Sequence, residues 1–218
     1  MERIPLTLPG ASEDYRASRE GLQAAELELR EHVERVAEMR RALPPGPIVR
    51  DYEFFDGAQL VKLSELFADG KPYLVVYHLM YWQDDDEFCP MCSMWVDGWD
   101  GIAHHVSQRA NIVVAALAPV ATLQAWKAHR RWQRIRVLAD ADPSFARDTG
   151  AEDVDGDPQS TVLVFKKTDH GIHHLLTMHP EFPDESHRGI DQLCPTWHIF
   201  DLLPSGRGDW NAANDYVM

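Results

Sequence analysis

Near the start of the chain apolar residues recur every seven positions, at Leu22, Leu29, Val36 and Leu43, with Ala25, Val33 and Met39 filling the same stripe. That period puts them on one helical face, and Glu and Arg residues, many spaced for i,i+4 pairing, cover the rest. The pattern predicts one helix from Ala11 to Leu43, stopped by Pro44-Pro45-Gly46-Pro47. Such a stripe either packs on the main domain or serves as a dimerisation arm.

Beyond Pro47 the pattern changes to short apolar runs. Asp51 to Phe55 and Gln59 to Leu63 predict two strands around Asp56-Gly57, and Leu63 to Phe67 a helical turn. The run Tyr73-Leu74-Val75-Val76-Tyr77 reads as a buried strand. Trp95, Val96, Trp99 and Ile102 then follow at spacings that suit one face of a helix, which ends near Arg109. Asn111 to Ala116 predicts a strand, Pro119 to Arg131 a helix, Arg134 to Ala139 a strand, and Asp142 to Arg147 the start of a short helix. Ser160 to Lys166 and Gly171 to Thr177 read as a β-hairpin, and Trp197 to Leu202 as a last strand or short helix. The Gly-, Asn- and Asp-rich tail from Pro204 to Met218 reads as loop. This order predicts an α/β fold in which a central mixed β-sheet is flanked by helices. Residues 1–47 form an N-terminal helical arm and residues 48–218 the domain proper.

Composition narrows the function classes. The 218 residues are 44% hydrophobic and 26% charged, which is ordinary for one globular domain with appendages. A net charge of -14 argues against nucleic acid and against anionic membrane surfaces, both of which favour a basic face. The longest apolar run, Ile112 to Ala118, is far too short to cross a bilayer, and the opening MERIPLTLPG lacks the apolar core of a signal peptide. The expected location is cytoplasmic. Three cysteines, Cys89, Cys92 and Cys194, do not make a disulfide framework.

The chemistry concentrates at Cys89-Pro90-Met91-Cys92, between the first central strand and its helix. Pro90 suits the first helical position, where its missing N–H costs nothing. Cys89 is then expected at the cap, exposed to solvent and to the free N–H groups of the first turn, with Cys92 one turn deeper. Two thiols so placed are suited to disulfide exchange, in which one attacks and the other resolves the mixed disulfide. The helix N-terminus lowers a thiol pKa, whereas the run Asp84-Asp85-Asp86-Glu87 opposes a thiolate. The expectation is a Cys89 of low acidity, in a reducing rather than an oxidising protein.

Other residues carry weaker signals. A closed zinc site needs four ligands, for which Cys89, Cys92, Cys194 and a histidine would all be required, and there is no second Cys-x-x-Cys. Neither a metal nor a cofactor is expected. Asp153-Val154-Asp155-Gly156-Asp157 lacks the glycine and glutamate placement of an EF-hand and reads as a solvated acidic loop. Of the eleven histidines, His78 stands out: it ends the first central strand, where it can modulate a thiol or ligate a metal. Tyr81, Trp82 and Phe88 fall in the loop before the motif, where exposed aromatics serve contact. With Pro90 and Ser160 they make up the expected substrate-binding residues. Cys194 is either a buried core thiol or a third redox partner.

Several segments together carry a resemblance. They are Arg40-Arg41-Ala42-Leu43-Pro44, Tyr77-His78-Leu79-Met80-Tyr81, Cys89-Pro90-Met91-Cys92-Ser93, Asp97-Gly98-Trp99-Asp100-Gly101 and Asp201-Leu202-Leu203-Pro204-Ser205-Gly206-Arg207. The chain resembles, as a divergent member, a bacterial family of thioredoxin-like, predicted dithiol–disulfide oxidoreductases that is filed as a domain of unknown function. The resemblance implies a thioredoxin-like fold and a redox role, with no settled substrate. The chain departs from the family pattern at Ala116-Leu117-Ala118-Pro119, at His129-Arg130-Arg131-Trp132 and at Leu176-Thr177-Met178-His179. Thioredoxins also carry a cis-proline before the strand that faces the cysteine pair. Here Ser160 falls at that place with Pro158 two residues earlier, so either the register shifts or the proline is absent.

The expected function is therefore thiol–disulfide exchange, with Cys89 attacking, Cys92 resolving, and a protein or small-molecule thiol or disulfide as substrate. The alternatives are a peroxiredoxin-like thiol peroxidase, in which Cys89 becomes a sulfenic acid and Cys92 closes the disulfide, and a non-enzymatic module that binds a metal or a partner. A homodimer through the N-terminal helix is the partner reading of its stripe.

Overall fold

The structure is a computed structural model and describes residues 6–180 and 193–216. The first five residues of the opening segment, His187 and the last two residues of the tail lie outside the described residues. The chain divides into two units at Pro44/Pro45.

The first unit is helix α1, Glu13–Ala42. Ser12 caps it by accepting the Tyr15 N–H at 3.1 Å, and Glu13 and Asp14 complement the positive end of its dipole. The heptad stripe forms as expected, yet no residue of α1 is buried, and Leu22, Leu29, Val33, Val36 and Met39 are all exposed.

The second unit is built on an eight-stranded sheet. Its strands are β1 (Ile48–Val49), β2 (Glu53–Asp56), β3 (Gln59–Lys62), β4 (Tyr73–His78), β7 (Asn111–Ala116), β8 (Arg136–Asp140), β9 (Thr161–Thr168) and β10 (Gly171–Met178). They lie in the order β1-β10-β9-β4-β7-β8-β2-β3. The centre, β4-β7-β8, is parallel, and parallel neighbours need helical crossovers. Helices α2 (Pro90–Val106) and α3 (Val120–His129) supply them. β9 adds antiparallel to β4, and β2 antiparallel to β8.

Two cores follow from strand alternation. Along β4, Tyr77 joins the core that contains Trp95, Trp99 and Val96 of α2, whereas Leu74 and Val76 join Phe54, Leu138 and Phe145 on the opposite face. Helix α4 (Ser144–Thr149) and the short helical turn Leu63–Leu66 cover that second face. The segment at Trp197 resolves to helix α5 (Pro195–Phe200), whose Trp197 packs into the first core.

One departure from expectation bears on the site. The stretch before the cysteines is not open loop. Tyr81–Trp82 (β5) and Glu87–Phe88 (β6) pair as a small hairpin, with Asp84 to Asp86 in its turn. Tyr81 and Phe88 face each other at 4.8 Å between ring centroids, and Phe88 stacks on Trp126 at 5.2 Å. Burial of these two large rings is what fixes the hairpin. Among the described residues no helix is long and apolar enough to cross a membrane.

Candidate active site at the Cys89–Cys92 dithiol

Cys89 is the N-cap of α2, and Pro90 opens the helix. The Cys89 Sγ accepts the Cys92 N–H at 3.4 Å, the local bond that a capping side chain makes. Cys89 N–H donates to Met80 O at 3.2 Å, so the hairpin and the cap are tied together. Neither thiol is openly exposed: Cys89 is 9% accessible and Cys92 3%. The expected exposed Cys89 is thus corrected. The β5–β6 hairpin and Trp197 close around it, and it meets solvent through a cavity of about 270 Å³.

Tyr77, Trp82, Met91, Trp95, Ser160 and Trp197 surround the sulfurs in that cavity, with Met80, His179 and Pro180 completing it. Ser160 immediately precedes β9 and holds the place facing the pair. The register does not shift, since His78 pairs with Thr161 and Tyr77 with Val162, and no peptide bond among the described residues is cis. The Ser160 hydroxyl lies 2.7 Å from the Tyr77 hydroxyl, and both reach Cys92.

The two thiols titrate as a pair. Burial pushes Cys92 up, but hydrogen bonding with the Cys89, Tyr77 and Ser160 side chains and the Met80 backbone outweighs it and brings Cys92 down to about 7. Cys89 is raised far above the ordinary thiol range, first by its bond to Cys92, then by burial and by repulsion from the Cys92 charge. One proton leaves the pair near neutrality and the second is held. Low acidity at Cys89 agrees in direction with the sequence reading, but the cause is different. None of Asp84, Asp85, Asp86 and Glu87 lines the dithiol cavity.

These shifts have a measurable consequence. Thiolate absorbance is expected to show one step near pH 7, and Tyr77→Phe and Ser160→Ala are each expected to move that step upward. Each removes a hydroxyl donor that stabilises the anion, which is worth about one to two pKa units per charge-assisted bond. A step that stays in place in both variants refutes the assignment.

The structure sorts the expected site residues plainly. Cys89, Cys92, Trp82 and Ser160 are brought together around one cavity. Pro90 starts the helix without lining it. Tyr81 and Phe88, expected as exposed contact residues, are buried, and neither lines the dithiol cavity. His78 is directed to the opposite face of the sheet, where it bonds Asp140, and does not meet the thiols. Strand alternation forces this, because Tyr77 already faces the cysteines. Cys194 is fully buried in the same hydrophobic core as the pair. Among the described residues, no three His, Cys, Asp or Glu side chains are placed to hold a metal ion. Ser160 was among the expected site residues, whereas Tyr77, whose hydroxyl meets it beside Cys92, was not. Its signal was the odd–even position of Tyr77 in β4, which places it on the helix α2 face.

Solved structures of the same architecture exist at low identity. Peroxidoxin BcpB from Mycobacterium tuberculosis aligns with a TM-score of 0.52 and 21% identity, covering 71% of this chain and 96% of that one. A cysteine-to-serine mutant of PrxQ from Xylella fastidiosa aligns at 0.50 and 11%, covering 64% of this chain and 87% of that one. At these identities the likeness is one of fold, which is thioredoxin-like. No curated protein matches the chain. The model of the bacterial proteins of unknown function DUF899 matches residues 7–218, nearly the whole length, and the chain belongs to that family.

Proposed function

We propose that the protein is a thiol–disulfide oxidoreductase working through Cys89 and Cys92. The observation that supports it is the geometry of the pair: Cys89 caps helix α2 with Cys92 one turn inside, and both sulfurs share a cavity with the Tyr77 and Ser160 side chains, whose burial and hydrogen bonding raise Cys89 and lower Cys92. Cys89 is the less buried residue of the two and caps the helix, so it is the one assigned to meet the substrate.

As Cys89 attacks a substrate disulfide, its proton passes to Cys92 and one substrate sulfur leaves as thiolate. That thiolate takes the proton from Cys92. The Cys92 thiolate then attacks the Cys89 Sγ, the protein disulfide closes, and the second substrate thiolate leaves. The substrate gains two electrons and the dithiol loses two. Trp82, Met91 and Trp197 offer the apolar wall against which a protein or small-molecule thiol packs.

Insulin-disulfide reduction under dithiothreitol, run beside peroxide consumption, tests the reading. Disulfide reduction that exceeds the uncatalysed rate supports it. Rapid peroxide consumption without disulfide reduction makes the protein a thiol peroxidase instead. Failure of Cys89 and Cys92 to form a disulfide at any redox poise refutes both.

The exposed heptad stripe of α1 supports a homodimer, since a seven-residue apolar repeat is the period at which two helices bury each other's seams. Sedimentation velocity is expected to give a dimer for the full chain and a monomer for Leu29→Glu/Val36→Glu. A monomeric parent chain removes this assignment.

A further inference from the structure

The dithiol cavity is walled by apolar side chains from three elements: Trp82 of the β5–β6 hairpin, Met91 and Trp95 of α2, and Trp197 of α5. Among the described residues that line it, none is a lysine, arginine, aspartate or glutamate. The polar groups beside the sulfurs are already engaged. The Tyr77 and Ser160 hydroxyls lie 2.7 Å apart, and the exposed His179 donates from Nδ1 to the Ser160 carbonyl at 3.3 Å.

A charged group carried into such a cavity gives up its water and finds no opposite charge there. A sulfur flanked by hydrocarbon loses nothing of the kind, and its flanks gain the area they bury on the indole rings. Outside the cavity the field also opposes anions. Asp84, Asp85, Asp86 and Glu87 are exposed on the hairpin that supplies Trp82, and the chain as a whole carries a net charge of -14. Size sets a second limit. Cys89 is only 9% accessible and opens to a cavity of about 270 Å³, a volume that suits a small molecule. A folded protein surface meets the walls before its disulfide meets the sulfur.

We propose that the substrate is an uncharged disulfide of low molecular mass with apolar flanks, and that the cavity discriminates against anionic disulfides, glutathione disulfide among them. The inference rests on the oxidoreductase reading above and adds a class of substrate to it. The reaction is the exchange already described. The dithiol gives two electrons and two protons to R–S–S–R, Cys89 and Cys92 close their disulfide, and two R–SH leave. Trp82, Met91 and Trp197 receive the R groups.

Single-turnover oxidation of the reduced full chain tests this, read by intact mass after alkylation of the remaining thiols. Diethyl disulfide is compared with dithiodipropionate, cystamine, glutathione disulfide and insulin at constant ionic strength. Each rate is divided by that of the same disulfide with dithiothreitol, which removes differences in the leaving thiol. Diethyl disulfide is expected to lead each charged small disulfide by about tenfold or more, and to lead insulin. Met91→Lys puts an ammonium into the wall at a half-buried position. It is expected to raise the rate of dithiodipropionate relative to diethyl disulfide by about threefold or more, a change of preference that a merely structural disturbance does not produce. The comparison on the parent chain is decisive whether or not this variant folds. A charged disulfide or insulin that matches diethyl disulfide overturns the proposal and leaves the oxidoreductase reading standing, as does an unchanged preference in a folded Met91→Lys. If none of the disulfides oxidises the pair, the oxidoreductase reading falls and this proposal with it.

Discussion

Cys89→Ser is expected to lower disulfide-reducing activity by roughly 100-fold or more, because the residue supplies the attacking atom. Cys92→Ser is expected to fail differently. Its Cys89 is relieved of the bond and the negative charge that hold its proton, since these and burial are what raise Cys89 in the parent protein. The Cys89 pKa is therefore expected to fall, and alkylation of Cys89 at pH 7 by iodoacetamide to become faster. Attack still occurs, but no second thiol resolves the product. A mixed disulfide between Cys89 and the substrate should accumulate and be seen by intact mass. If Cys92→Ser turns over as the parent does, or if its Cys89 becomes less reactive, the assignment of roles is wrong. The wild-type protein should in turn alkylate faster as pH rises through about 7, the value at which the pair loses its first proton.

His78→Leu is expected to destabilise the second unit by about 3–5 kcal/mol, the cost of stranding a buried carboxylate. The pair spans β4 and β8 across the intervening β7, where the small Ala115 leaves room for it on that face. Removing His78 leaves Asp140, itself 7% exposed, without its bond and unable to reach water at little cost. His78→Leu/Asp140→Leu removes both polar groups and is expected to recover most of the loss, because the local surroundings, Phe145 above all, are apolar. Urea denaturation measures both variants. A single variant as stable as the parent, or a double variant no better than the single, would mean that the pair is not buried as described.

The two variants probe opposite faces of the sheet through adjacent residues. Tyr77 and His78 are neighbours in β4, yet the first touches the dithiol and the second a separate polar pair. A sequence reading that ranks residues by distance along the chain puts His78 beside the cysteines. Alternation of side chains along a strand sends it away. The same kind of correction applies to the aromatic stretch. Tyr81 and Phe88 lie where a loop was expected, but seven residues apart they bracket a turn tight enough to pair them. Once paired, their rings meet each other and Trp126, and become core. Trp82, alternating with Tyr81, remains at the dithiol cavity.

Local periodicity and chain chemistry determined the helical arm, the main strands and helices of the second unit apart from β1, the β5–β6 hairpin and the choice of helix for α5, the capping position of Cys89 and the helix-opening place of Pro90. Those depend on contacts within a few residues, and apolar spacing reports them directly. Tertiary structure alone decided which residues surround the dithiol. Ser160 and Tyr77 are 83 positions apart and meet only because β9 pairs with β4, and their hydroxyls, together with Cys89, are what lower the Cys92 thiol. The charge run Asp84 to Glu87 had been the nearest electrostatic influence in sequence. In the fold, burial of Tyr81 and Phe88 anchors the hairpin so that its turn carries Asp84 and Asp85 to a second cavity, which shares only Trp82 with that of the dithiol.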